Sequence, residues 1–93
     1  MERQSTTNAM IEAIIAGLAE ELPVVFTRKT ASEKLGGILA AGSLANLNSQ
    51  KKGPPTIRLK RHAAYERETF LAWLHQYLQA TAVRSRDESI LQQ

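Results

Sequence analysis

Three breaks constrain this 93-residue chain more than any other feature. They are Pro23, the pair Gly36-Gly37, and the run Lys51-Lys52-Gly53-Pro54-Pro55. A residue before proline avoids helical geometry, and glycine takes the left-handed conformation that ends a helix. The middle of the chain can therefore hold only short elements. Longer helices are confined to the two ends.

The N-terminal piece predicts a helix over 7–22. Thr7 or Asn8 can cap it, and Ile11, Ile14, Ile15, Leu18 and Leu22 recur at helical spacing. Residues 1–6 read as disordered. Val24-Val25-Phe26 reads as a short, buried extended segment. Thr27 then caps a second helix, about Arg28 to Leu35, with Ala31 and Leu35 facing inward. A third helix, about 41–49, buries Leu44 and Leu47. Gly42, Ala45, Asn46, Ser49 and Gln50 fall on its opposite side, with Ser43 on one flank and Asn48 nearer the buried edge. After the Gly/Pro loop, Thr56 to Tyr65 alternates as a two-stranded ribbon. Ile57 and Leu59 point one way, Arg58 and Lys60 the other. A last helix starts near Glu66 or Arg67 and carries an apolar stripe of Phe70, Leu71, Trp73, Leu74, Tyr77 and Leu78. Beyond Ala82 the pattern dissolves, so 82–93 reads as a flexible tail.

Charge singles out the middle of the chain. Net charge is +3, but residues 1–26 carry −3 and residues 68–93 carry −1. Residues 27–67 hold nine Lys/Arg against two Glu, or +7. Such a concentration is the footprint of a polyanion-binding surface, and equally of a solvated basic face; charge alone leaves both open. With no cysteine, neither disulfides nor thiolate metal sites are available. No apolar run approaches the ~20 residues that span a bilayer. The N-terminus lacks the pattern of a signal peptide. A cytoplasmic, single-domain protein without membrane attachment is the expectation.

Catalytic chemistry finds no support. Gly36-Gly37 lacks the lysine-serine pair of a phosphate-cradling loop. His62 and His75 have no carboxylate or thiol at ligand spacing, so no metal is expected. Glu20-Glu21 reads as solvated charge before a proline. The chain is expected to be a non-enzyme with no cofactor.

The ordered series resembles the excisionase-like and AlpA-like winged helix-turn-helix proteins, which are related to the MerR DNA-binding domain. The likeness covers roughly Pro23 to Gln79. It rests on Thr27 and Ala31 to Leu35, on Ser43-Leu44-Ala45-Asn46-Leu47, on Lys52-Gly53-Pro54-Pro55, on Tyr65, and on Leu71-Ala72-Trp73-Leu74. It implies a mostly α fold with a small β-hairpin wing: a winged helix-turn-helix over 24–79 with an extra N-terminal helix. The third helix would be the recognition helix, entering the major groove of double-stranded DNA, with the wing on the backbone or minor groove. The residues point the same way, since a short helix with small polar residues outward can approach base edges. Asn46 is the foremost base-reading candidate, its amide able to donate and accept toward adenine, with Ser43, Ser49 and Gln50 beside it. Arg28, Lys29, Lys51, Lys52, Arg58, Lys60 and Arg61 are the phosphate candidates, which set affinity and register.

Two departures from the family pattern stand out. Ala40-Ala41 replaces the usual serine or proline at the start of the recognition helix. Lys60 stands where the wing usually has glycine, so the wing is expected to be longer, looser or shifted in register.

The expected role is transcription regulation, or direction of a site-specific recombinase in a phage or mobile element. The alternative is a protein-interaction module whose basic face binds an acidic partner, such as a recombinase or polymerase subunit. RNA binding has little support, because the ribbon lacks exposed stacking aromatics. Trp73 and Tyr65 read as packing residues, and His75 as exposed. The N-terminal helix either completes its own domain's core or forms a homodimer that sets two recognition helices ~34 Å apart.

Overall fold

The computed structural model describes the backbone of residues 2–92 and the side chains of residues 6–81. Among them the order is α1 (Glu2–Glu21), β1 (Val25–Thr27), α2 (Arg28–Lys34), α3 (Ala41–Ser49), β2 (Ile57–Leu59), β3 (His62–Glu66) and α4 (Arg67–Gln92). The chain is mostly helical, with one small antiparallel sheet in the order β1-β3-β2. Phe26 pairs with Tyr65 across one side of β3, and Ile57 with Ala64 across the other.

The aromatic residues locate the core. All five of the chain's aromatic side chains form one connected cluster. Phe26 meets Phe70 edge-on at 5.1 Å, Tyr65 lies 5.3 Å from Phe70, and Trp73 lies 5.9 Å from Phe70 and stacks on Tyr77 at 4.8 Å. Such pairs add about 0.5–1.5 kcal/mol each beyond area burial. The cluster ties β1, β3 and α4 together. Ala31 from α2 and Leu44 from α3 close it from below, both fully buried.

The short elements fall where the breaks predict. Thr27 Oγ1 accepts the amide of Thr30 at 3.3 Å and so caps α2. α3 spans the expected residues, and Ala40 gives it no side-chain cap. α4 begins on a cap of its own: the Glu66 carboxylate accepts the amides of Glu68 at 2.9 Å and Thr69 at 3.0 Å. Those two bonds hold its pKa below the usual carboxylate value.

Several expectations are corrected. α1 is helical from Glu2, so residues 2–6 are not disordered, and Thr7 is a buried helix-interior residue rather than a cap. The burial reason is visible in Thr7, Ile11, Leu18 and Leu22, which form one inward stripe against the rest of the fold. Ile14 stands at the edge of that stripe, three and four residues from Ile11 and Leu18, and is exposed. α4 runs to Gln92, so the helix does not end near Ala82; the flexibility expected of 82–93 concerns side chains outside the described set. Val24, which precedes the strand, and Val25 are exposed, and only Phe26 of that segment is buried; within the strand Val25 and Phe26 face opposite sides of a half-covered sheet. That segment also adds a third strand to what reads as a two-stranded ribbon.

The β2–β3 hairpin is tighter than the sequence leads one to expect of the wing. Leu59 pairs with His62, leaving only Lys60 and Arg61 in the turn. Lys60 adopts φ +57, the positive value that short hairpin turns demand at their first central residue. Lysine therefore occupies the glycine position without lengthening the loop. Trp73 is only partly buried: its ring packs on the core cluster while Nε1 donates to the Lys52 carbonyl at 2.9 Å. His75 is not a bare surface residue, since Nε2 lies 2.8 Å from Glu12 Oε2 and links α4 to α1.

Candidate functional site

α3 and the two turns that follow it carry exposed polar and basic side chains. Leu44 is fully buried and Leu47 half-buried, which turns the opposite side of the helix outward. Ser43, Asn46, Ser49 and Gln50 are all exposed there, as is Gly42. Asn46 keeps its side-chain amide free of any protein hydrogen bond among the described residues. Ser49 Oγ instead donates to the Asn46 carbonyl of its own helix at 2.9 Å, which leaves it less able to reach a partner.

The cations divide. Lys29, Lys51, Lys52, Arg58, Lys60 and Arg61 are exposed. The carboxylate contacts among the described residues are the Lys34–Glu21 ion pair at 3.5 Å and His75 Nε2 at 2.8 Å from Glu12 Oε2. None of the six exposed cations therefore has a carboxylate partner in that set. Arg28 is different. It is half-buried, its Nε donates to the Tyr65 hydroxyl at 3.0 Å, and its Nη2 donates to Asn48 Oδ1 at 3.2 Å. Two of its five N–H donors are committed to internal acceptors, and both Nη1 hydrogens and the second Nη2 hydrogen have no acceptor among the described residues.

Asn48 is the residue that sequence reasoning passed over. Oδ1 accepts from Arg28 and from the Tyr65 hydroxyl at 2.8 Å, while Nδ2 donates to the Pro54 carbonyl at 2.7 Å. The amide orientation is forced, because guanidinium only donates and a carbonyl only accepts. Tyr65 is fully buried, so its ring packs and does not offer a stacking face. Burial pushes its phenol pKa up, and Arg28 partly opposes this. The one hint in the sequence was the placement of Asn48 toward the buried edge of α3.

The backbone is strained at two points of this surface. Among the described residues, Lys51 (φ +62) and Lys60 (φ +57) are the non-glycine residues with positive φ. Each such residue costs roughly 1–2 kcal/mol relative to right-handed geometry. Both are exposed lysines, one directly after α3 and one at the hairpin turn.

No group of three or more His, Asp or Glu side chains that could hold a metal occurs among the described residues, and no helix there is long and apolar enough to cross a membrane. Comparison of the chain with protein-family models, with characterised proteins and with solved structures finds no match.

Proposed function

We propose that the chain is a sequence-specific double-stranded DNA-binding protein built as a winged helix-turn-helix. In this reading α2 and α3 are the helix pair, α3 is the recognition helix, and the β2–β3 hairpin is the wing. The observation that carries it is an α3 whose outer side is polar and exposed, followed directly by the exposed Lys51 and Lys52, in a chain whose six exposed candidate cations have no carboxylate partner among the described residues. Strain at Lys51 and Lys60 supports it, since unfavourable backbone conformations persist where the surroundings hold them and gather at functional positions. Asn46 reads bases, with Ser43 and Gln50 as neighbours. Lys29, Lys51, Lys52, Arg58, Lys60 and Arg61 grip phosphates. The role is transcription regulation or direction of a site-specific recombinase, by binding and bending DNA without chemistry of its own.

A second reading has one observation in its favour. Ile57 and Leu59 on the hairpin are each 49% exposed, more apolar surface than a purely phosphate-facing ribbon needs. In that reading the basic, partly apolar wing docks on an acidic protein, such as a recombinase or polymerase subunit.

Fluorescence anisotropy with a mixed-sequence duplex of about 30 base pairs, titrated over a salt series, separates the two. DNA binding predicts a log K slope of about −0.9 for each phosphate engaged, hence a steep dependence. Absence of binding even at low salt overturns the DNA reading and favours the protein partner. On a selected site, Asn46→Ala should lose base discrimination and keep nonspecific binding.

A further inference from the structure

Arg28 differs from the six exposed cations in being held in place. It is half-buried, and both of its acceptors are neutral: the Tyr65 hydroxyl takes Nε–H at 3.0 Å, and Asn48 Oδ1 takes an Nη2–H at 3.2 Å. Neither carboxylate contact of the described residues involves it. Its charge is therefore drawn partly out of water without a counterion, a state that costs free energy until an anion arrives.

The two bonds decide which part of the guanidinium remains. Guanidinium is a planar fork of N–H donors. The Tyr65 hydroxyl and Asn48 Oδ1 are themselves hydrogen-bonded at 2.8 Å, so they stand side by side and together occupy the edge formed by Nε and Nη2. The end edge, one Nη1 hydrogen and the second Nη2 hydrogen, has no acceptor among the described residues. It is not sealed in. No buried side-chain nitrogen or oxygen among those residues lacks a partner, so Nη1, which has none there, is reached by solvent. Two parallel N–H groups on one edge match two oxygens of a phosphate. Both acceptors are anchored in turn. The Tyr65 ring is fully buried against Phe70, and Asn48 Nδ2 donates to the Pro54 carbonyl at 2.7 Å. The fork is thus set before any ligand binds, which removes part of the ordering cost that an exposed lysine such as Lys51 or Lys52 meets on binding.

We propose that Arg28 is a preset phosphate-binding residue: Tyr65 and Asn48 hold one edge of its guanidinium, so that the other edge takes a DNA phosphate in a bidentate grip beside the last turn of α3. The proposal rests on the DNA-binding reading. Arg28 makes the contact, and Tyr65 and Asn48 are positioning residues that need not touch DNA.

The test is a double-mutant cycle in the full chain. Arg28→Met removes the fork and keeps an unbranched stem. Tyr65→Phe removes the hydroxyl and keeps the ring. Each variant and the double variant is checked for native helical signal by circular dichroism. All are then titrated by anisotropy against the mixed-sequence duplex over a salt series, beside the parent chain. Arg28→Met should weaken binding about tenfold, the loss of a charge-assisted contact, and flatten the salt slope by about 0.9. Tyr65→Phe should weaken binding in the parent and leave it unchanged in the Arg28→Met background, because a positioning residue acts only through the group it holds. Should Arg28→Met lose its helical signal, Arg28→Lys, which keeps the charge without the fork, supplies the second background. An Arg28→Met slope equal to the parent's, or equal losses from Tyr65→Phe in both backgrounds, would make these residues merely structural and would overturn the proposal alone. Failure of the parent chain to bind any duplex would overturn it together with the DNA reading.

Discussion

α2 and α3 are neighbouring short helices that end with the same hydrogen-bond pattern and different residues. After α2, the amides of Gly36 and Gly37 bond to the carbonyls of Glu33 and Ser32. After α3, the amides of Lys51 and Lys52 bond to the carbonyls of Asn48 and Leu47. In both cases the residue past the cap takes positive φ, +69 at Gly36 and +62 at Lys51. This is the Schellman ending, for which glycine is the low-energy choice. The helix starts differ as well. Thr27 caps α2 with its hydroxyl, whereas Ala40 offers α3 nothing. α2 is thus finished for stability at both ends, and α3 at neither. The helix whose outer side is polar and which runs directly into two exposed lysines is the one that accepts local cost. That pattern is expected where a surface is shaped for a ligand.

The largest test of this contrast removes what holds α3 against its own poor ends. Leu44 is its fully buried anchor. Leu44→Ala should cost about 2–5 kcal/mol, the range for a deleted core leucine with its residual cavity. Denaturant unfolding followed by circular dichroism measures this. A cost below about 1 kcal/mol would mean that α3 is held by its hydrogen bonds to Arg28, Tyr65 and Pro54 rather than by packing, and the contrast with α2 would need another cause.

Exchanging the two ends tests the contrast directly. Lys51→Gly should stabilise the protein by about 0.5–1 kcal/mol, the relief of left-handed strain less the added freedom of glycine in the unfolded chain. The same variant should flatten the DNA salt slope by about 0.9. Gly36→Lys should do the reverse in stability, by a similar amount, because open space surrounds a Cβ there and only φ resists. It should leave the salt slope unchanged if the placement of a lysine, and not its mere presence, matters. If Lys51→Gly gains stability without weakening DNA binding, then Lys51 is an unremarkable surface residue and the strain has no functional counterpart.

How far these features were legible in the sequence depends on whether they are local. Thr27 before α2, the Gly36-Gly37 stop and the bounds of α3 follow from residues adjacent in the chain, and the structure places them as read. Lys51 and Lys60 were legible as cations and, at Lys60, as a misfit for a turn. The geometry settled differently: the turn stayed short and lysine took positive φ, because the Leu59–His62 and Ile57–Ala64 pairing fixes where the strands must join. What the sequence withheld is long-range. Asn48 reaches Tyr65, 17 residues away, and Arg28, 20 residues away. No periodicity signals such partners, so Arg28 reads as a free phosphate contact until its acceptors are seen. Trp73 reads as core because it is aromatic, although its Nε1 is needed outside the core, on the Lys52 carbonyl.

The smallest expected effect concerns the start of α4, the third comparison of helix ends. Glu66 does for α4 what Ala40 does not do for α3. Its carboxylate receives two first-turn amides, and its pKa is lowered accordingly, chiefly by the Glu68 and Thr69 amides. A carboxylate whose folded pKa lies below its unfolded one contributes its full stability above the unfolded value, about 4.5. That contribution is lost as pH falls from there through the folded value, because the unfolded chain takes up the proton first. Melting temperature should therefore decline below about pH 4.5 partly through Glu66. Glu66→Gln should lower it at neutral pH and shallow the acid decline. The solvent exposure of the group keeps the effect small. If Glu66→Gln retains the parent's full acid decline, the sensitivity arises elsewhere, and the α4 cap would be no better bound than the bare start of α3.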